Sequence, residues 1–318
     1  MNITFRQLRL FLALAEHGSV TAAALACHVS QPTVSMQLKE MSQAVGLPLY
    51  EVIGKKLHLT QVGEELVITA RAIVGEWQDF GEQVDAMKGV SRGRLRIAVV
   101  STAKYFIPRV LGAFCKRYPD VDVALEIQNR DGVLQRLRDN RDDIYIMSMP
   151  PEDQKIQSQI FLANPLVVIA PENHPLAKKK KIALAALNGE RFVLRERGSG
   201  TRMACDAHFA RHNFQPVVRL ELGSNEAIKQ AVAGGLGLAV LSTHALGEHF
   251  VDDALVVLNV THFPIHAHWY TVHLRSKRLS PTAKAFLGYL NAGESLALRS
   301  SAAAGKTQGP ISRTPTTK

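Results

Sequence analysis

The chain has 318 residues, of which 46% are hydrophobic and 21% are charged, and its net charge at pH 7 is +10. These fractions are typical of a folded protein with two or more domains, and no apolar run approaches the roughly 18 residues that a membrane span requires. Cys27, Cys115 and Cys205 form no CxxC pair, so we expect neither a disulfide nor a structural zinc. We therefore predict a cytoplasmic protein without a membrane partner.

The positive charge is unevenly distributed along the chain. Residues 1–90 contain 7 Lys and Arg against 9 Asp and Glu, so the excess lies in residues 91–318. An excess of this kind is compatible with an anionic ligand and equally with a solvated basic surface. Bulk charge therefore does not identify a nucleic-acid-binding segment.

Residues 18–41 predict two short helices joined by a tight turn. Ser19 and Ser30 are placed to cap them, with Cys27–Val29 as the turn between. Short hydroxyl and amide side chains crowd the first two turns of the second helix, as expected of a helix in the DNA major groove. We predict contacts with base edges or phosphates for Thr21, Ser30, Gln31, Thr33, Val34, Ser35, Lys39, Lys55 and Lys56. A surface helix pair without function is the alternative, and Val34 could instead pack against the first helix.

The next segment predicts a small two-stranded wing around Gly54, followed by a long helix from Thr60. Apolar residues in that helix recur at alternating spacings of four and three, which is typical of a coiled-coil seam. We predict that a second copy pairs along this seam, although a monomer could bury it against its own body. The seam consists of Leu66, Ala70, Ile73, Trp77, Phe80, Val84 and Met87.

After residue 89 short apolar strands alternate with helices, which predicts α/β units with parallel sheets. Two such sheets, joined by crossovers near residues 165 and 266, would form two lobes with a cleft between them. The predicted fold class is α+β multidomain: a winged helix-turn-helix, a dimerisation helix and a bilobed α/β domain like the periplasmic binding proteins. The predicted boundaries are 1–60 for the head, 61–89 for the linker helix, 90–296 for the bilobed domain and 297–318 for a disordered tail. Lobe I covers about 90–163 and 267–296, and lobe II about 164–266.

Polar residues cluster where the predicted strands end and helices begin. Ligands of α/β sheets bind at the carboxyl ends of strands, where free backbone N–H groups and hydroxyls suit an anion. Ordinary helix capping is the alternative for each residue taken singly. The predicted effector-binding residues are Ser101, Thr102, Lys104, Ser148, Arg195, Gly198, Ser199, Thr201, Arg202, Asn225 and Glu226.

The sequence lacks the motifs of an enzyme. No nucleophile elbow, P-loop or HExxH is present, so we predict no catalytic residue and no classical cofactor. His208 and His212 have the i,i+4 spacing of metal ligands, but no third ligand supports them, and we predict no metal site.

Five short motifs resemble those of the LysR-type transcriptional regulators, and the resemblance covers residues 1 to about 296. They are Phe5–Leu8, Ser19–Leu25, Ser30–Ser35, Gly46–Tyr50 and Leu59–Glu64. Glu51 and Val52 follow Leu49-Tyr50, where family members usually carry Arg, which leaves the phosphate contacts of the wing to Lys55 and Lys56. The resemblance implies promoter DNA as a partner, a homodimer or homotetramer, contact with RNA polymerase, and a small anionic effector.

Further segments are similar to the subgroup of this family that controls carbon-fixation (Calvin cycle, Rubisco) operons. They are Ser101–Pro108, Phe114–Pro119, Gly198–Arg202 and Leu274–Pro281. This similarity implies transcriptional activation in response to a phosphorylated metabolite such as ribulose bisphosphate, or to NADPH. The alternatives are a regulator that senses a different small anion and a cytosolic solute-binding module or enzyme without DNA binding.

Overall fold

The structure is a computed structural model that describes residues 2–53, 56–87, 93–247 and 254–291. Its N-terminal part, the winged head, consists of three helices and a two-stranded antiparallel wing, followed by a long linker helix. These elements are α1 (Phe5–His17), α2 (Val20–Ala26), α3 (Gln31–Val45), β1 (Tyr50–Ile53), β2 (Lys56–Leu59) and α4 (Gln61–Met87).

The head helices begin where the sequence supplies caps. The hydroxyl of Ser19 accepts a hydrogen bond from the N–H of Ala22, and that of Ser30 accepts one from Thr33. Gly18 and Gly46 end α1 and α3 in the left-handed conformation, which glycine adopts at little cost. These caps confirm the predicted helix pair.

One apolar core holds the head and the start of α4 together. The fully buried side chains include Phe11, Leu14, Val34, Leu38, Met41, Leu49 and Ala70. Gly63 on α4 lies directly against the carbonyl of Leu49, where any side chain would collide with backbone. The linker helix is therefore seated on the head by close backbone contact as well as by apolar burial.

The structure corrects the predicted seam of α4 at its first two positions. Ala70 is fully buried and Leu66 is partly buried in the core of the head, so both pack within the chain. Ile73, Trp77 and Phe80 are exposed, the last two by 63% and 56%. Val84 is half-buried, and the side chain of Met87 lies outside the described residues. The apolar surface left for a second copy is thus shorter than the sequence pattern indicates.

The remainder of the described chain forms a bilobed α/β domain. Its strands are β3 (Gly93–Val100), β4 (Val121–Gln128), β5 (Ile144–Met147), β6 (Ile156–Pro171), β7 (Arg191–Arg195), β8 (Val217–Leu222), β9 (Ala239–Ser242), β10 (Leu255–Leu258) and β11 (Ile265–Leu274). Its helices are α5 (Ile107–Arg117), α6 (Arg130–Arg138), α7 (Gly200–Arg211), α8 (Asn225–Ala233), α9 (Thr243–Leu246) and α10 (Pro281–Asn291). Short 3₁₀ turns lie at Ser101–Tyr105 and Leu184–Leu187.

The sheet topology corrects the prediction of two parallel sheets. The long strands β6 and β11 pair antiparallel with each other and run through both lobes, in the order β10-β6-β11-β5-β3-β4, with β9 also on β6. Only β3 with β4, β3 with β5, and β7 with β8 are parallel among the described strands. The first half of β6 carries exposed polar residues such as Gln157 and Ser158, so it shows no apolar run in the sequence.

Each lobe has its own apolar core. The core of lobe I surrounds Phe114, Trp269 and Phe286, and that of lobe II surrounds Phe192 and Phe209. Strand β6 contributes to both cores: Leu162 packs in the core of lobe I, and Leu166 packs in the core of lobe II. The two lobes are thus joined at the middle of two continuous strands.

The described helices include none that is long and apolar enough to span a bilayer. Several predicted features fall on residues outside the described ranges: the wing tip with Lys55, the residues 88–92 between the linker helix and β3, and the tail 297–318. The backbone of Lys56 belongs to β2, but its side chain lies outside the description.

Candidate nucleic-acid interface and ligand cleft

Helix α3 presents a polar face to solvent. Gln31, Ser35 and Lys39 are exposed, as are Ser30 and Thr21 nearby. Thr33 is half-buried, and its hydroxyl lies 2.7 Å from that of Ser30, so these two groups are tied to the start of the helix. Exposed short polar groups at the N-terminal end of a second helix have the arrangement that base-edge contacts require.

Val34 is fully buried against the head helices, which corrects its prediction as a base reader. The physical reason is its position on α3, on the same side as Leu38 and Met41, which face α1. Met36, which the sequence analysis did not single out, is 54% exposed on α3, one turn after the exposed Pro32.

The bilobed domain encloses a small cavity at the carboxyl ends of its strands. Lobe I contributes Ser101 and Thr102 after β3 and Ser148 after β5, while lobe II contributes Arg195 at the end of β7 and the start of α7. This is the level at which α/β sheets bind ligands. The cavity has a free volume of about 10 Å³ and is lined by Val100, Ser101, Thr102, Arg130, Ser148, Arg195, Ser199, Gly200 and Thr201.

Arg195 links the two lobes through a buried hydrogen-bond network. Its Nη1 donates to the hydroxyl of Thr102 at 3.1 Å and to Oδ1 of Asn225 at 2.9 Å, and its Nη2 donates to the hydroxyl of Ser101 at 3.3 Å. Both Nε and Nη2 also bind the carboxylate of Glu196, at 2.7 and 2.8 Å. The charge of Arg195 is therefore compensated by an adjacent carboxylate.

Arg130 is the cationic residue of the cavity that sequence reasoning missed. Its Nη2 donates to the carbonyl of Met149 at 3.0 Å, whereas its buried Nε has no hydrogen-bond partner. Burial lowers the pKa of this guanidinium, and the nearby Asp131 opposes that effect. A buried donor without an acceptor is costly, and an anion in the cavity would supply one. The signal in the sequence is that Arg130 follows the end of β4, as the predicted residues follow β3 and β5.

Gly200 of lobe II lies directly against Ser148 of lobe I. A Cβ built on it would meet the hydroxyl of Ser148 and lie 2.8 Å from its carbonyl oxygen. Ser199 caps α7 by accepting from the N–H of Arg202, which leaves the first N–H groups of this helix at the cavity. Glycine at this position thus lets the N-terminus of α7 reach lobe I.

The remaining predicted effector residues do not line the cavity. Arg202 donates to Asp206, to Glu221 and to the carbonyl of Arg195, so its guanidinium is held on the lobe II side of the site. Asn225 does not line the cavity but contacts two residues that do: its Oδ1 accepts a hydrogen bond from Arg195, and its Nδ2 donates to the hydroxyl of Thr102.

The last three members of the predicted set lie at the rim. Glu226 accepts from the hydroxyl of Tyr105 at 2.7 Å, which makes a second contact between the lobes. Burial and the carboxylate of Glu226 raise the pKa of Tyr105, so this phenol stays protonated and donates. Lys104 lies over the ring of Tyr105, and Gly198 has a positive φ of 86° at the turn before α7.

His208 and His212 belong to a stack of imidazole rings rather than to a convergent ligand set. The ring centres of His208 and His212 are 4.6 Å apart, and those of His212 and His262 are 4.1 Å apart. In the described part of the chain, no three His, Cys, Asp or Glu side chains are placed to hold a metal ion together. Burial lowers the pKa of His208 to about 4, with the neighbouring histidines acting in the same direction.

Comparison with known proteins identifies the class. Residues 5–64 match the family described as "Bacterial regulatory helix-turn-helix protein, lysR family", and residues 88–294 match "LysR substrate binding domain". The chain belongs to the LysR family of bacterial transcriptional regulators. It is a DNA-binding regulator with an effector domain, not an enzyme, and the predicted fold class is confirmed.

Three similar proteins define its place in the family more closely. The transcriptional activator CmpR of Synechocystis is 44% identical, covering 91% of this chain and 95% of CmpR. A RuBisCO operon transcriptional regulator of Acidithiobacillus ferrooxidans is 43% identical, covering 91% and 94%. The regulatory domain of Synechocystis CcmR, solved in complex with 2-PG, is 51% identical with a TM-score of 0.60, covering 63% of this chain and 97% of that one.

Proposed function

We propose that this protein activates carbon-fixation operons in the cytoplasm in response to a small phosphorylated anion bound between its two lobes. The similarity to RuBisCO operon regulators and to CmpR over nine-tenths of the chain supports the choice of operon. The complex of the CcmR regulatory domain with 2-PG supports a phosphorylated ligand and makes 2-phosphoglycolate the first candidate.

The observation that carries the anion assignment is the unpartnered Nε of Arg130, a residue that lines the cavity. The lining also includes Ser101, Ser148 and Ser199, the last of which caps α7. Arg130 would supply a charge-assisted hydrogen bond, and the hydroxyls and helix N–H groups would bind the remaining oxygens. Arg195 contributes less charge because Glu196 already neutralises it.

The cavity is small as the structure shows it. Its free space is about 10 Å³, room for about one water molecule, so any effector would require the lobes to move apart. A two-carbon phosphorylated acid would require less separation than ribulose bisphosphate or NADPH. We therefore rank 2-phosphoglycolate above ribulose bisphosphate, and ribulose bisphosphate above NADPH.

The DNA-bound form is proposed to be a dimer or tetramer built on α4. Ile73, Trp77 and Phe80 expose apolar surface on this helix, and the rings of Trp77 and Phe80 lie 5.9 Å apart as one patch. A second copy would cover this patch and place two heads on successive half-sites of promoter DNA. Effector binding would then change the spacing of the heads and with it the contact with RNA polymerase. The effector can do so only through different affinities for the two arrangements.

A DNase I footprint of the full-length protein upstream of a carbon-fixation operon tests this proposal. We expect a protected region that becomes shorter, or loses a hypersensitive band, when 2-phosphoglycolate is added. Ribulose bisphosphate, NADPH and inorganic sulfate are the comparison ligands. Protection that none of the phosphorylated ligands alters would refute the effector assignment, and absence of protection there would refute the choice of operon.

A further inference from the structure

Helix α4 carries a basic side chain that reaches lobe I of the same chain. Nη1 of Arg71 lies 2.9 Å from Oδ2 of Asp139, and both side chains are largely buried. Burial lowers the pKa of Arg71, and the negative charges of Asp139 and Glu16 act in the opposite direction. Since Glu16 is on α1, this guanidinium lies in the field of both the head and lobe I.

A second polar contact on α4 lies two turns further along the helix. Nη1 of Arg96 on β3 donates to Oε1 of Gln78 at 3.4 Å. One turn before Arg71, on the same side of the helix, α4 packs Val67 into the core of the head, together with Ala70. The linker helix thus contacts the head near its start and lobe I further along, and Arg71 occupies the junction of the three parts.

Helix α6 connects this junction to the ligand cavity. Arg130, which lines the cavity, is the first residue of α6, and Asp139 follows its last residue. Val133, Leu134 and Leu137 anchor the helix in the lobe I core between these ends. A helix of nine residues is a rigid element of about 13 Å, so a displacement at one end reaches the other. Asp139 is additionally held by Arg141 at 3.2 Å and by Gln135 at 3.0 Å.

We propose that the Arg71–Asp139 ion pair docks lobe I onto the linker helix and couples the occupancy of the cavity to the position of the head on DNA. The coupling rests on the proposed function, because it requires an anion that engages Arg130. Arg71 and Asp139 are positioning residues and do not touch the effector. In this arrangement α6 is the element whose position the effector and the linker helix both bias.

The test compares full-length Arg71→Gln, Asp139→Asn, the conservative Arg71→Lys and the control Arg138→Gln. Arg138 is an exposed residue of α6 whose guanidinium donates to Gln135. Calorimetry measures the affinity for 2-phosphoglycolate, and the footprint measures the response on DNA. Spin labels on Cys27 in the head and Cys115 in lobe I, which are both partly exposed while Cys205 is buried, report the distance between these parts. Labelled protein is diluted with unlabelled protein so that only distances within one chain contribute.

We expect Arg71→Gln and Asp139→Asn to broaden the Cys27–Cys115 distance distribution and to leave the footprint the same with and without 2-phosphoglycolate. Their affinity for the ligand should stay within about twofold of wild type, because neither residue lines the cavity. Arg71→Lys should restore the response and Arg138→Gln should not affect it. An unchanged distance distribution together with a normal footprint response in Arg71→Gln would overturn the inference. If the footprint of the wild-type protein does not change with 2-phosphoglycolate, the proposed function is refuted instead, and this result is distinguishable because it does not depend on the variants.

Discussion

The winged head and the ligand cleft use polar side chains in opposite ways. On α3 the polar groups Gln31, Ser35 and Lys39 are exposed above a largely apolar core. In the cleft, Thr102, Arg195 and Asn225 are buried and bonded to one another across the two lobes. Exposed groups are free to meet a new partner, whereas buried groups are already satisfied and fix a geometry. Among the residues that line the cavity, the exception is Arg130 with its unpartnered Nε, which we take to mark where a ligand belongs.

Among the variants that test this difference between head and cleft, we expect the largest effect from Gly200→Val, on the affinity for 2-phosphoglycolate. Its side chain would collide with Ser148, so the lobes could not close over the ligand. Overpacking of this kind costs about 3 kcal/mol, which corresponds to roughly a hundredfold weaker binding of 2-phosphoglycolate in calorimetry. Operator affinity without ligand should be unchanged, since the head does not contact this site. Gly112→Ala is the matched control, because an added Cβ there meets nothing within 4 Å. Wild-type affinity in Gly200→Val would show that the lobes close elsewhere.

In the head, Gln31→Ala tests whether the exposed amide of Gln31 makes a base-specific contact with DNA. We expect a loss of about 1–3 kcal/mol of discrimination at one base pair per half-site, because a glutamine amide pairs with the edge of adenine. Binding to a panel of operators with single base changes measures this loss. Uniform weakening on every operator would show that Gln31 contacts only the phosphate backbone.

Val34→Ala and Ser35→Ala separate core from surface on the same turn of α3. Val34 is fully buried, so truncation should lower the free energy of unfolding of the head by about 2 kcal/mol. Ser35 is exposed, so its truncation should leave the denaturation midpoint unchanged and weaken operator binding. If Val34→Ala weakens DNA binding while stability is preserved, the burial of Val34 is not maintained on DNA.

We expect the smallest effect from lowering the pH, which should reduce the stability of lobe II rather than that of the head. The pKa of His208 is lowered from its usual 6.5 to about 4 by burial, so the folded protein binds fewer protons than the unfolded chain. The contribution of His208 to stability is therefore present in full well above pH 6.5 and is lost as the pH drops from 6.5 towards 4. Thermal unfolding at pH 7 and pH 5 measures this loss. His208→Phe, which keeps a ring against Phe263, should reduce it; an equal loss in that variant would exclude His208 as the cause.

The head could be predicted from the sequence almost completely, since its caps and turns involve residues three or four positions apart. Ser19, Ser30 and Gly46 mark their helix ends without reference to the rest of the chain. The exception is Val34, for which the sequence left base contact and packing both open; the structure buries it with Leu38 and Met41.

The sequence predicted where the cleft lies but not what each of its residues does. Because Ser101, Thr102 and Ser148 follow predicted strands, we expected them to lie close together, and the structure brings them to one cavity. The partners of Arg195 are the adjacent Glu196 and three residues that lie 30 to 94 positions away, Asn225, Thr102 and Ser101. Only the fold brings the three distant partners to Arg195. Whether these residues bind the effector stays a prediction.

The most direct test of the account is calorimetric titration of full-length Arg130→Gln with 2-phosphoglycolate. Arg197→Gln is the control, because this guanidinium is 85% exposed and lies outside the cavity. Loss of a charge-assisted hydrogen bond costs about 1.5–3 kcal/mol, so we predict roughly 10- to 150-fold weaker binding in Arg130→Gln and no change in Arg197→Gln. Equal affinity of Arg130→Gln and wild-type protein would contradict the assignment of Arg130 as the cation that receives the effector.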